Sequence, residues 1–116
     1  DKMVEIEILN SQYSPLLTSK QREIIAMYYE EDYSLGEISQ MLDISRQSVY
    51  DSLKRSEKSL KDYENKLGMV EKFHKLEDLL NKLEEKIDVS SESFDKYDAE
   101  NSTQLKVIVE EIRELL

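Results

Sequence analysis

The chain of 116 residues contains no cysteine, only two glycines and a single proline. Without cysteine there is no disulfide framework, no thiolate metal site and no cysteine nucleophile. The shortage of glycine and proline argues against sheets joined by tight turns, because those turns rely on both residues. There is one histidine, His74, with no second histidine or acidic cluster at ligand spacing, so a metal site is not expected.

Long apolar runs are also missing. No run approaches the roughly 18 residues that a membrane-spanning helix requires, and no signal peptide is visible. A glycine-rich phosphate loop and a nucleophile arrangement are absent as well. These absences predict a cytoplasmic protein that is not an enzyme, uses no cofactor and does not span a membrane.

Charge is abundant and unevenly distributed. Hydrophobic residues make up 39% and charged residues 36% of the chain, which is typical of amphipathic helices around a modest core. A core of that size is a reason to expect self-association. The net charge is −10, and residues 62–116 carry −7 of it, with eight bases and fifteen acids. Residues 45–61 differ, because five bases outnumber two acids there.

Residues 34–60 have the pattern of a helix-turn-helix. The apolar positions form one helical stripe, a short break and a second stripe: Leu35, Ile38, Leu42, Ile44, Val49 and Leu53. Ser34 with Glu37 forms a capping box, and Ser45 can cap the second helix. Small Ser39 suits a close helix crossing, and Asp43 occupies the turn, where a left-handed backbone is common. The pattern predicts helices from about Leu35 to Leu42 and from Arg46 through Leu60, and it leaves open a continuation to Leu67 before Gly68.

Two helices are predicted before this motif. Residues 2–13 can form a helix that ends before Pro15 and places its apolar side chains near one face, namely Met3, Val4, Ile8 and Leu9. Thr18 with Gln21 is a second capping box and opens the next helix. The inward side chains expected there are Ile24, Ile25 and Tyr28. The tyrosines Tyr28, Tyr29 and Tyr33 are interpreted as packing residues rather than a stacking platform for single strands.

After Gly68 the pattern becomes a heptad. Apolar residues repeat at spacings of four and three: Met69, Phe73, Leu76, Leu80, Leu83 and Ile87. Residues 88–103 are polar and predict a loop, or a loop plus the start of a last helix, with Phe94 and Tyr97 as candidates to continue the seam. A closing amphipathic helix carries Leu105, Ile108, Ile112 and Leu115. The segment is compatible with a hairpin within one chain or with a coiled coil between two chains.

The N-terminal part of the chain resembles region 4 of bacterial sigma factors. It is more closely similar to the small YlxM-type helix-turn-helix proteins, through the stretches Leu17–Arg22, Tyr33–Ile38 and Ile44–Asp51 and the continuation Asp62–Leu67. The resemblance covers residues 13–67, and beyond Gly68 it is mostly compositional. Ser39 and Asp43 depart from the residues usual in the family, which are alanine at the first position and glycine or asparagine at the second.

The resemblance implies a sigma-region-4-like fold and a regulatory role linked to the signal recognition particle pathway. The complete prediction is an all-α protein with a helix-turn-helix domain over residues 1–67. Residues 68–116 form its C-terminal heptad and amphipathic helices, as a hairpin or coiled coil. A sigma factor itself is not expected, since the chain is too short to hold the other sigma domains.

The second motif helix supplies the candidate contacts with DNA. Base-contact candidates are Arg46, Gln47, Ser48 and Tyr50, because arginine can pair with guanine and glutamine with adenine in the major groove. Phosphate-contact candidates are Ser45, Lys54, Arg55, Lys58 and Lys61. The alternative interpretation is an ordinary charged helix face with ion pairs such as Asp51 with Arg55 and Glu57 with Lys61.

Two functions remain open from the sequence. The first is a DNA-binding regulator that acts as a homodimer, since two-fold symmetry places two reading helices about 34 Å apart on the duplex. The second is an adaptor that binds a protein or RNA component of the signal recognition particle machinery without sequence-specific DNA binding. The acidity of residues 62–116 favours the adaptor, and the basic helix favours the regulator.

Overall fold

The computed structural model describes residues 1–91 and 96–116, with side chains described for residues 1–88 and 100–116. In these ranges the secondary structure is helical: α1 (Lys2–Tyr13), α2 (Ser19–Ile25), α3 (Leu35–Leu42), α4 (Arg46–Leu67), α5 (Met69–Ser91) and α6 (Lys96–Leu115). A 3₁₀ turn, Ser14–Leu16, follows α1, and a π-helical turn, Ala26–Glu30, continues α2. The predicted all-α fold is confirmed. No helix in the described ranges has the length and apolarity needed to cross a membrane.

The chain divides into two compact units, Asp1–Val70 and Glu71–Leu116. The boundary lies inside α5, whose first two residues, Met69 and Val70, pack on the core of the N-terminal unit.

The helix starts follow the capping residues that the sequence predicts. Ser34 and Glu37 form a reciprocal capping box, with the Glu37 amide donating to Ser34 Oγ at 3.1 Å and the Ser34 amide donating to Glu37 Oε1 at 3.0 Å. Thr18 and Gln21 form the same arrangement at the start of α2. Ser45 Oγ accepts the Ser48 amide at 3.0 Å and caps α4. Each cap satisfies amides that the first helical turn leaves unpaired.

Two helices end on a residue with left-handed backbone. Gly68, at φ +61°, ends α4, and its amide donates to the Glu64 carbonyl at 2.8 Å. Asp43, at φ +53°, ends α3. Glycine adopts this conformation without steric cost, and aspartate tolerates it better than most residues. The predicted turn at Asp43 is therefore present.

The core of the N-terminal unit draws on α1, α2 with its π-turn, α3 and α4. Its fully buried aliphatic residues are Ile6, Ile24, Ile25, Ile38, Val49 and Leu60. Tyr29 is buried in this core, and Tyr28 and Tyr33 are partly buried against it, so the tyrosines act as packing residues as predicted. The sequence predicts that Tyr28 points inward, but Tyr29 is the more deeply buried of the two. The reason is that the π-turn adds about one residue to the helical turn and so rotates the following side chains.

The inward face predicted for α1 is correct at Leu9 and wrong at its other three residues. Met3, Val4 and Ile8 are exposed, and the buried residues are Ile6, Leu9 and Tyr13. Tyr13 determines this rotation, since its hydroxyl donates to Glu64 Oε1 at 2.5 Å and accepts the Met69 amide at 3.1 Å. Burial and the hydrogen bond to Glu64 raise the pKa of Tyr13, which keeps the phenol in its neutral form.

The C-terminal unit is an antiparallel helical hairpin within one chain, one of the two predicted alternatives. Near the end of α6, Arg113 binds Glu77 at 2.8 Å and Glu84 at 2.7 Å on α5, and Lys106 forms an ion pair with Asp88. Buried Leu80, Ile87 and Val109 lie between the helices.

The apolar stripe predicted for the closing helix does not face α5. Leu105, Ile108, Ile112 and Leu115 are exposed, at 39–87% of their surface. Ser102, Val109 and Arg113 occupy the packed side instead, because the ion pairs of Arg113 fix the rotation of α6. On α5, Leu83 of the predicted seam is 48% exposed, whereas Leu80 and Ile87 are buried. The side chains of Phe94 and Tyr97 lie outside the described residues.

Candidate nucleic-acid interface

Two hydrogen bonds between Ser39 and Ile44 span the turn between α3 and α4. Ser39 Oγ donates to the Ile44 carbonyl at 2.6 Å, and the Ile44 amide donates to the Ser39 carbonyl at 3.1 Å. The first of these bonds needs a hydroxyl, which an alanine at this position would lack. Ser39 therefore fixes the turn that sets the direction of α4.

One side of α4 is buried and the other is open to solvent. The buried residues are Val49, Leu53, Ser56, Glu57 and Leu60. Each of the nine predicted contact residues is exposed: Ser45, Arg46, Gln47, Ser48, Tyr50, Lys54, Arg55, Lys58 and Lys61. At about 100° per residue, Gln47, Arg55 and Lys58 lie opposite the buried stripe. The N-terminal turn of α4 therefore projects polar side chains outward.

Two hydrogen bonds organise that first turn. Ser45 Oγ donates to Ser48 Oγ at 2.8 Å, so the two hydroxyls are joined. Gln47 Nε2 donates to Asp51 Oδ1 at 2.9 Å, which directs the Gln47 carboxamide along the exposed face. Asp51 thus binds Gln47 rather than Arg55, its partner in the ion pair proposed from the sequence. The carboxylate of Asp51 also places a negative charge near the middle of this face.

A polar groove with a volume of about 370 Å³ runs along one flank of α4. Its walls come from the start of α2, with Lys20 and Gln21, and from α4, with Ser48 and Arg55. Sequence reasoning missed Lys20 as a neighbour of the site, because contacts between helices far apart in sequence leave no local signal. The groove brings two basic side chains, Lys20 and Arg55, beside the first turns of α4.

The opposite flank carries Tyr50 and Lys54. The Lys54 ammonium lies 5.4 Å from the centre of the Tyr50 ring and 3.5 Å from Glu57 Oε2. Lys2 of α1 reaches the same carboxylate oxygen at 3.3 Å. Lys54 therefore neutralises a carboxylate of its own chain, and Glu57 pairs with Lys2 and Lys54 rather than with Lys61.

Glu57 is a buried acid on the packed side of α4, at 6% exposure. Burial opposes its ionisation, but the hydrogen bond from the Tyr29 hydroxyl and the contact with Lys2 outweigh that effect and lower the pKa of Glu57. Burial, and then the bond to Glu57, raise the pKa of Tyr29. The pair therefore consists of a neutral phenol and a carboxylate, which ties α4 to the π-turn.

The described residues contain no group of three or more His, Asp or Glu side chains that could hold a metal ion. His74 lies on α5 and is exposed.

The sequence matches a protein-family model over residues 1–100, that of UPF0122, described as "Putative helix-turn-helix protein, YlxM / p13 like". A UPF0122 protein of Thermoanaerobacter sp. (strain X514) is 46% identical over 112 residues, which cover 97% of this chain and 91% of that protein. One from Caldanaerobacter subterraneus subsp. tengcongensis is 54% identical over 85 residues, 73% of each chain. One from Geobacillus sp. (strain WCH70) is 40% identical over 115 residues, 99% of this chain and 97% of the relative.

Proposed function

Because this chain belongs to the UPF0122 family of YlxM/p13-like helix-turn-helix proteins, we propose that it is a DNA-binding regulatory protein. In this proposal it works in the cytoplasm, without catalysis, and regulates the signal recognition particle pathway. The single observation that carries the proposal is the exposed polar first turn of α4, held on the α3 scaffold by Ser39. In helix-turn-helix proteins this part of the second helix enters the major groove.

The proposed base contacts come from the first two turns of α4. Arg46 donates to a guanine edge and Gln47 pairs with adenine, each contact contributing about 1–3 kcal/mol of discrimination. Gln47 must exchange its bond to Asp51 for the base, or keep it and present its carbonyl. Ser48 and Tyr50 are neighbouring base-contact candidates, since they flank Gln47 and are exposed.

The proposed phosphate contacts lie beside and beyond that turn. They are Ser45, Lys54, Arg55, Lys58 and Lys61, joined by Lys20 in the groove that Arg55 also lines. Lys54 contributes least in this scheme, because Glu57 already neutralises part of its charge. These contacts fix position and carry no direct sequence information.

A homodimer would compensate for the weak electrostatics of the chain. A net charge of −10 opposes the approach of DNA, and the local excess over residues 45–61 is only three bases. Two linked reading helices convert two weak half-sites into one stronger site. We therefore propose that two copies act together on a site with two-fold symmetry.

The test is fluorescence anisotropy of the full chain against a pool of duplex DNAs at two salt concentrations. Arg46→Ala should relax sequence preference, whereas Lys58→Ala should weaken all sequences alike and flatten the salt dependence by about one unit of slope. Lys66→Ala is the matched control, since it removes a lysine from the same helix about 30 Å from Arg46. Unchanged isotherms for both Arg46→Ala and Lys58→Ala would contradict the proposed mechanism.

A second candidate function rests on the acidity of residues 62–116, which carry a net charge of −7. That charge suits an adaptor that meets a basic protein of the signal recognition particle, while α4 grips structured RNA by its phosphates. Binding to the protein component that survives Arg46→Ala with Lys54→Ala, or binding to targeting-particle RNA that these substitutions weaken, in either case without DNA binding, would favour the adaptor.

A further inference from the structure

The C-terminal hairpin exposes an apolar face that both of its helices build. Six large aliphatic side chains on α5 and α6 are 39–87% exposed: Leu79, Leu83, Leu105, Ile108, Ile112 and Leu115. We call this set the hairpin face. The four residues on α6 are spaced by three, four and three positions, the spacing with which a helix packs against a partner helix.

The six residues lie on the same side of the hairpin. On each helix, these residues are rotated about the helix axis by a quarter of a turn or more from the side that packs against the other helix. Viewed from the N-terminus to the C-terminus of each helix, the rotation has the same sense on α5 and on α6. The helices are antiparallel, since Lys106 meets Asp88 while Arg113, farther along α6, meets Glu77. Because the two helix axes run in opposite directions, a rotation of the same sense brings both sets of residues to the same side of the hairpin. Leu79 and Leu83 of α5 therefore lie beside the apolar stripe of α6.

The two long edges of the hairpin face carry opposite charge. The outer side of α5 presents Lys82 and Lys86, and the outer side of α6 presents Glu111, all exposed. A second hairpin turned by 180° about an axis parallel to the helices places its α6 over the first α5. Each lysine edge then meets a glutamate edge, twice in the symmetric pair, which is electrostatic complementarity between copies.

We propose that the hairpin face binds a second copy of this chain, with α5 of each protomer packed against α6 of its partner in a four-helix bundle. In the register fixed by Arg113, Leu79 lies level with Leu115, and Leu83 lies about level with Ile112, so Leu79 and Leu83 of one copy meet apolar residues on α6 of the other. Lys86 and Glu111 come within about one helical turn of the same height. This inference names the interface of the homodimer that the proposed function includes. It rests on the proposed function only for the expectation that the chain forms a dimer.

Sedimentation equilibrium of the full chain tests the apolar contact. The wild type should sediment at twice 13.7 kDa at micromolar concentration. Ile108→Ser should raise the dimer dissociation constant by at least about tenfold, because one buried side chain is lost from each copy. Val107→Ser is the matched control: Val107 is 53% exposed against 50% for Ile108, but it lies on the far side of α6, so it should leave dimerisation unchanged. Circular dichroism confirms that both variants stay helical.

A charge exchange tests the arrangement of the helices. Lys86→Glu or Glu111→Lys alone should weaken the dimer about threefold or more by placing like charges together, and the double variant should return to within about twofold of the wild type. A monomer at 100 micromolar, a dimer insensitive to Ile108→Ser, or single weakening without rescue would each overturn the inference.

The same samples separate this inference from the proposed function. Arg46→Ala should dimerise normally, since α4 lies outside the hairpin face. A normal dimer without DNA binding would therefore refute the regulator alone, whereas DNA binding by a monomer would refute the hairpin interface alone.

Discussion

The bond between Tyr29 and Glu57 should be one of the strongest single polar contributions to the stability of the helix-turn-helix unit. Tyr29→Phe removes the hydroxyl that donates to a carboxylate at 6% exposure and keeps the ring in the core. Hydrogen bonds to charged groups contribute about 1.5–3 kcal/mol. Because Lys2 and Lys54 still contact the carboxylate and are each about half exposed, we expect a loss of about 2 kcal/mol in the free energy of unfolding.

Urea unfolding followed by tyrosine fluorescence measures this loss. Six of the seven tyrosines lie in residues 1–70, so the signal reports mainly on the N-terminal unit. A loss of 2 kcal/mol lowers the urea midpoint by about 1–2 M. Tyr28→Phe is the control, expected within about 0.5 kcal/mol of the wild type, since Tyr28 is half-buried and contacts the Tyr29 ring edge-on.

The variant Glu57→Gln tests whether the contribution of the Tyr29–Glu57 hydrogen bond depends on the negative charge of Glu57. A glutamine keeps an acceptor for the Tyr29 hydroxyl but removes the negative charge, and neutral hydrogen bonds are about half as strong. Tyr29→Phe should therefore cost only about 1 kcal/mol in the Glu57→Gln background. An equal cost in both backgrounds, or a cost below about 0.5 kcal/mol in the wild type, would refute the assignment of a buried phenol–carboxylate bond.

Three further outcomes follow from the same structure. The pKa of Tyr29 is raised in the folded state, so its contribution is complete below about pH 10 and is lost as the pH rises further; alkaline urea titrations should show a steeper loss for the wild type than for Tyr29→Phe. Asp43→Gly should stabilise the N-terminal unit by up to about 1 kcal/mol in urea unfolding, because φ at this position is +53°; a destabilised variant would contradict the assigned turn. Arg113→Met should lower the melting temperature of the C-terminal hairpin by circular dichroism, since Arg113 is 18% exposed and binds Glu77, Glu84 and Glu110; an unchanged melting curve would contradict its role.

The helix boundaries could be predicted because their signals are local. The capping boxes at Thr18 and Ser34 and the cap at Ser45 each depend on residues within one helical turn, and Gly68 ends α4 through its own backbone preference. The all-α class followed from the same signals and from the shortage of glycine and proline.

The faces of α1 and α6 could not be predicted, because partners distant in sequence determine them. Tyr13 binds Glu64, 51 residues away, and rotates α1 so that Ile6 is buried. Arg113 binds Glu77, 36 residues away, and turns the apolar stripe of α6 toward solvent. Apolar periodicity alone describes a helix with several possible inward faces, and the long-range polar contacts select among them.

The candidate site also combines features that the sequence predicts with features that it does not. The exposure of Arg46 and Gln47 follows from the motif pattern, since the buried positions of α4 are those of its apolar stripe. The partners of Lys54 and Gln47 do not follow from it. Glu57 draws in Lys54 and Lys2 from different parts of the chain, and Asp51 binds Gln47 rather than Arg55.

The most direct test of the central claim is the affinity of the full chain for duplex DNA at 50 mM and 200 mM salt, for the wild type and for Arg46→Ala with Lys58→Ala. A DNA-reading α4 predicts binding at low salt that weakens at high salt and is lost in the double variant, while Lys66→Ala binds normally. Absence of DNA binding by the wild type at 50 mM salt, or equal binding by the double variant, would contradict the claim that α4 reads DNA.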